Sequence, residues 1–255
     1  PKRKLQVKKL ILSGGVMGTV KLLLKCKQNG NLKNISNRLG DFIRTNSESI
    51  LGIKLNQTPK EDFSKGIAIS SGFYPDQNTH IEAVRYGKNQ TAMALLTTFL
   101  PDRNIPLPKF IRWGLSILRS PIRFIKNLYP FDWAKKTIIL LVMQPIDNYL
   151  KFNYKSRWWR LGGYSMNSTT SDGKKIPSYI PMAEKTAKKI KKNRSGTITT
   201  TYMDAIFGIP TTAHILGGAC IGKDISSGVI NSKFEVFNYS NMYVIDGSAI
   251  PVNLG

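Results

Sequence analysis

The chain has 255 residues, 41% of them hydrophobic and 10% aromatic, which suffices for one or two buried cores and excludes a disordered chain. Its 38 Lys and Arg against 15 Asp and Glu give a net charge of +23. That balance points to nucleic acid, an anionic membrane surface or an acidic partner, but the cations are spread along most of the chain and Lys, Asn and Ile are all abundant, as a lysine-favouring codon bias would produce.

Two cysteines far apart in sequence, Cys26 and Cys220, form neither a disulfide framework nor a zinc-ligand spacing, so no metal site is expected. No apolar run approaches the ~18 residues of a spanning helix, and the longest, Ile138 to Met143, is strand-sized. Pro1 is not followed by a signal peptide. The expectation is a cytoplasmic or peripheral membrane protein.

In chain order, Val7 to Leu12 predicts a short strand, Ser13-Gly14-Gly15 a turn, and Gly18 to Asn29 a helix with apolar Val20, Leu22, Leu23, Leu24 and Cys26, stopped at Gly30. This is half of a βαβ unit. Residues 31–60 are polar and read as loop. Strands are expected at Ile67–Phe73, Ile81–Tyr86, Thr137–Met143 and Tyr149–Tyr154, which are rich in β-branched and aromatic residues. Phe110–Leu128 predicts a helix broken near Pro121, and Ala183–Lys192 a lysine-rich helix. Ser195–Thr201, a glycine-rich segment over 217–228 and a last strand at Met242–Asp246 follow. Pieces of βα type at both ends around an antiparallel-looking middle fit a nucleotide-binding domain interrupted by a substrate domain.

Three segments carry chemistry. In Leu10–Leu24 (LILSGGVMGTVKLLL), glycines between strand and helix let the backbone approach a ligand and the helix start favours anions; tight strand–helix turns are also common without any ligand. His214, one of two histidines, precedes Gly217-Gly218 in HILGG. It titrates near neutrality and can take a proton from an alcohol, or it is a hydrogen-bonded core histidine. Asn241–Ser248 reads as a strand ending in Asp246-Gly247, where a carboxylate can meet a ribose or ribityl hydroxyl and the glycine amide can face phosphate; an ordinary turn has the same letters.

Taken together, His-x-Leu-Gly-Gly followed by an apolar strand ending in Asp-Gly-Ser-x-x-Pro resembles the C-terminal signature of the glucose–methanol–choline (GMC) flavoenzymes. LSGGVMGTVKLLL resembles the family's strand–turn–helix beside the flavin dinucleotide. NRLGDFIRTNSES from Asn37, THIEAVRYGK from Thr79 and TIILLVMQPIDN from Thr137 are similar to its cholesterol-oxidase-like branch. The resemblance implies an α/β (α+β) fold: an incomplete Rossmann-like FAD-binding domain over 1–60 and 206–255, with a substrate domain on a largely antiparallel sheet inserted over 61–205. It implies FAD as cofactor and oxidation of an alcohol, sterol-like or otherwise a bulky lipid, by hydride transfer to flavin N5. Gly14, Gly15, Gly18, Gly218, Asp246 and Gly247 would lie along the cofactor. His214 would orient or deprotonate the hydroxyl, with Glu82 as second candidate for proton transfer; the bland alternative for Glu82 is an ion pair with Arg85. Asn46 matches an asparagine of the branch, and His80 reads as structural.

The family's N-terminal G-x-G-x-x-G is absent, as is the Asn-Pro pair that follows the equivalent of Leu254-Gly255. The chain is therefore expected to be a C-terminal fragment, with residues missing beyond Pro1 and Gly255, that by itself binds FAD poorly and is inactive. Residues 109–136 interleave aromatic and aliphatic side chains with Arg112, Arg119, Arg123 and Lys126, which suits a membrane interface or a lid helix. The alternative from another class is a basic membrane- or nucleic-acid-binding module without catalysis; lacking an RNA-binding aromatic motif, zinc spacing or recognition helix, it is supported by charge alone, and no nucleic acid is expected. A non-catalytic relative of the flavoenzymes is a third reading, opposed by His214 and Asp246.

Overall fold

A computed structural model of the chain describes residues 3–156, 163–170 and 176–254. The chain divides into two units. One comprises the described residues of Pro1–Asn46, Ile146–Ile176 and Ala213–Leu254; the other comprises Ser47–Pro145 and Pro177–Thr212. The sequence-based boundaries at 60/61 and 205/206 differ from these, and the described residues of 146–176 group with the first unit instead of the second.

In the first unit, β1 (Leu10–Leu12) runs parallel to β10 (Met242–Val244), with Leu10 opposite Met242 and Leu12 opposite Val244. The strand expected from Val7 is shorter, pairing only over Leu10–Leu12. Helix α1 (Gly15–Gln28) follows β1. Val16, Val20, Leu23 and Leu24 recur at helical spacing and are buried against Ile35, Leu39, Ile43, Val229 and Val244. The helix closes on Gly30, at φ +76, with Gly30 N–H donating to Lys27 O and Asn31 N–H to Cys26 O, the paired bonds of a Schellman stop. A hairpin of β7 (Leu150–Ser156) and β8 (Tyr164–Thr170) completes the unit. Leu10, Ile11, Met17 and Leu22 remain exposed on the β1–α1 flank.

The second unit is a six-stranded sheet, antiparallel at every pairing. Its strands are β2 (Ser49–Leu55), β3 (Ile69–Asp76), β4 (Thr79–Val84), β5 (Thr97–Phe99), β6 (Thr137–Met143) and β9 (Gly196–Thr201), in the order β3-β4-β6-β2-β9-β5. The expected strands near 67–73, 81–86 and 137–143 correspond to β3, β4 and β6. β2, a central strand, falls in a stretch read as polar loop. It carries Gly52, where a Cβ would stand 2.5 Å from Thr199 Oγ1, and Lys54, buried at 7% exposure; both depress the strand signal.

Helix α5 (Pro181–Asn193) covers one face, burying Ala183 and Ala187 with Leu51, Ile53, Ile81, Leu140 and Val142. A second cluster gathers Ala94, Trp133, Ala134 and Ile139. The basic stretch forms α2 (Lys109–Leu118) and α3 (Pro121–Leu128), broken before Pro121 as its ring requires, and a single turn α4 (Trp133–Lys136) leads into β6. Among the described residues no helix is long and apolar enough to cross a membrane.

Candidate active site

The first unit brings most of the candidate residues to one junction. Gly14 and Gly15 begin α1, and Asp246 and Gly247 follow β10, the strand paired with β1. The loop carrying His214 lies beside them: Gly217 N–H donates to Gly247 O and Ala219 N–H to Ser248 O, both at 2.9 Å. His214 itself is half-buried at the start of this loop.

Asp246 is tied into the local backbone. Its Oδ1 accepts from Ser248 N–H at 2.9 Å and from Ser248 Oγ at 2.5 Å, and its Oδ2 accepts from Thr19 Oγ1 at 2.5 Å. Gly14 N–H in turn donates to Thr19 Oγ1. Burial pushes the Asp246 carboxyl up, but the hydrogen bonds from Ser248 and Thr19, joined by the Gly15 amide, more than offset this and hold it below the usual carboxylate range. The carboxylate thus closes the 247–249 turn as its N-cap and ties that turn to the Thr19 hydroxyl of α1. A further hydroxyl donor suits it, whereas a phosphate against it would meet like charge.

The glycines divide into two kinds. At Gly15, with φ +66, and at Gly18 an added Cβ would meet nothing within 4 Å, so the first turn of α1 presents bare backbone that a flat or hydroxylated group can approach. Gly217 and Gly218 sit at φ +84 and +97. A Cβ on Gly218 would stand 2.6 Å from Ile43 Cδ1 and 2.8 Å from Val20 Cγ2, and one on Gly217 would run into the Phe42 carbonyl. That pair is required by packing inside the unit. A dinucleotide's polyol tail therefore fits the Gly15–Gly18 flank and Asp246 on the donor and acceptor groups present.

Sequence reasoning named Asn46 but missed the rest of the group around it. Phe42, Asn46 and Ser47 all have positive φ, at 59, 53 and 47°, a conformation costly for residues with side chains and concentrated at functional sites. Between them Arg44, 7% exposed, donates from Nε to Pro251 O at 2.6 Å and from Nη1 to Asp147 Oδ1 at 2.6 Å and Asn148 O at 3.1 Å. Its guanidinium also lies 5.0 Å from the Tyr149 ring centroid, and its backbone exchanges two hydrogen bonds with Leu216 in the His214 loop. Asn46 N–H donates to Asn253 Oδ1. Only the fold reveals Arg44 as the anchor of three distant segments.

Glu82 belongs to the second unit, on β4 opposite Gly72 and Leu141. Its neighbour is His80, with Nδ1 3.9 Å from Oε1, while Arg85 donates to Lys65 O and Ser70 Oγ. His80 stacks on Tyr74 at 4.5 Å and fills the space over Gly72. Among the described residues no group of His, Cys, Asp and Glu has the arrangement of a metal site. Cys220 is buried, which pushes its thiol up to about 11 and leaves it inert.

Residues 164–255 match the family model described as GMC oxidoreductase. Over its full length the chain is 38% identical to a cholesterol oxidase of Acinetobacter baumannii, of which it covers 45%. It is equally, at 38%, identical to a cholesterol oxidase of Mycobacterium tuberculosis, of which it covers 44%. The chain is thus similar over its whole length to cholesterol oxidases, as the sequence signature implied, and spans less than half the length of these relatives. Among solved structures, an FAD-dependent oxidoreductase from Chaetomium thermophilum aligns over 97% of this chain and 52% of that one, at 13% identity and a TM-score of 0.40, a likeness too slight to argue from.

Proposed function

We propose that the intact protein binds FAD and oxidises the hydroxyl of a sterol-like or other bulky lipid alcohol, with the first unit as the remainder of a Rossmann-like cofactor domain and the second as the substrate domain. The observation that carries this reading is the direct hydrogen bonding of the His214 loop to the Asp246–Ala249 turn, which joins the two halves of the flavoenzyme signature. When bound, FAD supplies the acceptor for the hydride that leaves the alcohol carbon. The chain supplies the rest. Gly14, Gly15 and Gly18 would offer backbone to the dinucleotide, Asp246 and Gly247 would receive the hydroxyls of the ribityl chain, and Gly218 keeps its loop close against the unit's core. His214 orients the substrate hydroxyl and takes its proton; Glu82 is the second candidate for that transfer. The 255-residue chain by itself is expected to retain FAD poorly, since Leu10, Ile11, Met17 and Leu22 stay uncovered.

The test uses the intact protein with bound FAD quantified by absorbance. His214→Ala should lower turnover of a sterol alcohol by about 10²–10⁴-fold while flavin content holds, and Glu82→Gln should change the pH profile. Undiminished turnover in His214→Ala rejects the assignment.

A specific feature favours an added membrane contact. Leu118, Ile122, Ile125 and Phe131 are 77, 70, 67 and 62% exposed, interleaved with Arg119, Arg123 and Lys126, a pattern suited to an anionic bilayer surface. Flotation with neutral and anionic vesicles at two salt concentrations decides it; absence of binding at both salts removes the membrane role.

A further inference from the structure

The second unit contains a cavity of about 600 Å³ at one end of its sheet, which the proposed chemistry does not use. Lys54 on β2 lies in register between Thr137 of β6 and Thr197 of β9. Its buried ammonium donates to the carbonyls of Lys126, Asn127 and Tyr129 at 3.0, 3.0 and 3.1 Å. These close the end of α3, so Lys54 neutralises the negative end of that helix. The lining is then left with three further cations, Arg123, Lys126 and Lys136, and no acidic residue. Among the described residues none of the three has a side-chain hydrogen bond or an ion pair.

Arg123 and Lys126 are exposed and Lys136 is half-buried, with Asp132 near enough to act on Lys136; cations gathered with so little counter-charge repel one another. Burial, and after it the nearby Lys136, lower the Lys54 ammonium to about 8. A second, independent observation is Asn127. It lines the cavity, is 3% exposed, and among the described residues neither its side-chain nitrogen nor its side-chain oxygen finds a partner. Buried amides without partners are rare and call for an unseen one. Leu55, Ile125 and the Tyr129 ring add apolar wall, and the volume exceeds that of a bare oxyanion.

We propose that this cavity binds a phosphate-bearing ligand, as a soluble phosphate ester or as a lipid headgroup, its oxygens held by Arg123, Lys126, Lys136 and the Asn127 amide. Several convergent cations and an amide donor suit a multiply charged, multi-oxygen group better than a single carboxylate. The inference uses no residue of the oxidoreductase site, but it shares Arg123, Ile125 and Lys126 with the membrane contact proposed above, from which saturable binding of the soluble ester separates it.

The test is calorimetric titration of the intact protein with glycerol 3-phosphate, and sedimentation with phosphatidylcholine vesicles with or without phosphatidic acid. The Arg123→Gln/Lys136→Gln variant is compared with Lys8→Gln/Lys9→Gln, which removes equal charge from an exposed segment elsewhere; thermal melting verifies that both remain folded. Saturable binding of glycerol 3-phosphate, weakened about tenfold or more by the first pair and unchanged by the second, supports a soluble ester. Binding to phosphatidic acid vesicles alone, with the same variant dependence, supports a headgroup. Equal weakening by both pairs, or no saturable binding to either probe, overturns the proposal.

Discussion

The two units solve the folding problem differently. The second is a six-stranded antiparallel sheet with a helix packed on it, stabilised by interchangeable apolar residues such as Leu51, Ile53, Leu140 and Val142. The first has a two-stranded parallel sheet, a hairpin and one long helix, and its irregular segments are locked by particular residues: Gly217 and Gly218 against Phe42, Ile43 and Val20, Gly222 against Gly228, and the Arg44 side chain between Pro251 and the 147–148 segment. The difference teaches where a sequence signature comes from. Where backbone must approach backbone, few residues are tolerated and the letters become diagnostic; where a sheet is buried, many hydrophobic sequences serve.

The comparison breaks most sharply at glycines. Gly218→Ala places a Cβ at 2.6 Å from Ile43 Cδ1 on a φ of +97 and should cost about 3 kcal/mol, measured by chemical denaturation. Arg44→Ala should cost a similar or slightly smaller amount, about 2–3 kcal/mol, because Asp147 and the Pro251 and Asn148 carbonyls lose a charged donor. Its loss should also raise hydrogen exchange in the Leu216 segment, to which the Arg44 backbone is paired.

For the second unit the expected effects are smaller and partly of opposite sign. Lys54 is held near pH 8 in the fold, below its ordinary value, so between about 8 and 10.5 the unfolded chain binds more protons than the folded one. Stability contributed through this group therefore rises with pH across that window. A Lys54→Met variant should lack that rise, as the difference between two denaturation series against pH will show; parallel series contradict the depressed ammonium. Gly114 in α2 has nothing within 4 Å of a Cβ position, so Gly114→Ala should stabilise the protein by about 0.5–1 kcal/mol, a gain readable as a higher melting temperature. A loss there would mean that open space does not separate the tolerant glycines from the required ones.

Much of the architecture is legible in short windows of sequence. The helix after Gly14-Gly15, the break at Pro121, and β6 follow from apolar spacing, proline sterics and β-branched composition. β2 is not legible because Gly52 and the buried Lys54 obscure it, nor is β8, whose YSMNSTT lacks apolar alternation. At the candidate site, Asp246 and His214 stand out as letters, but Thr19, Ser248 and Arg44 do not, since their partners lie far along the chain or gain meaning only from the turn they close.

The amino-acid sequence alone determined the family signature, the local elements and the excess of positive charge, because each is written in adjacent residues or in their sum. The tertiary structure alone decided that Asp246 accepts from the Thr19 hydroxyl of α1, that Gly218 is excluded from bearing a side chain by Val20 and Ile43, and that four cations and an orphan amide surround one cavity. Those facts depend on which distant segments meet, and contact across the chain is set by packing and hydrogen bonding in three dimensions.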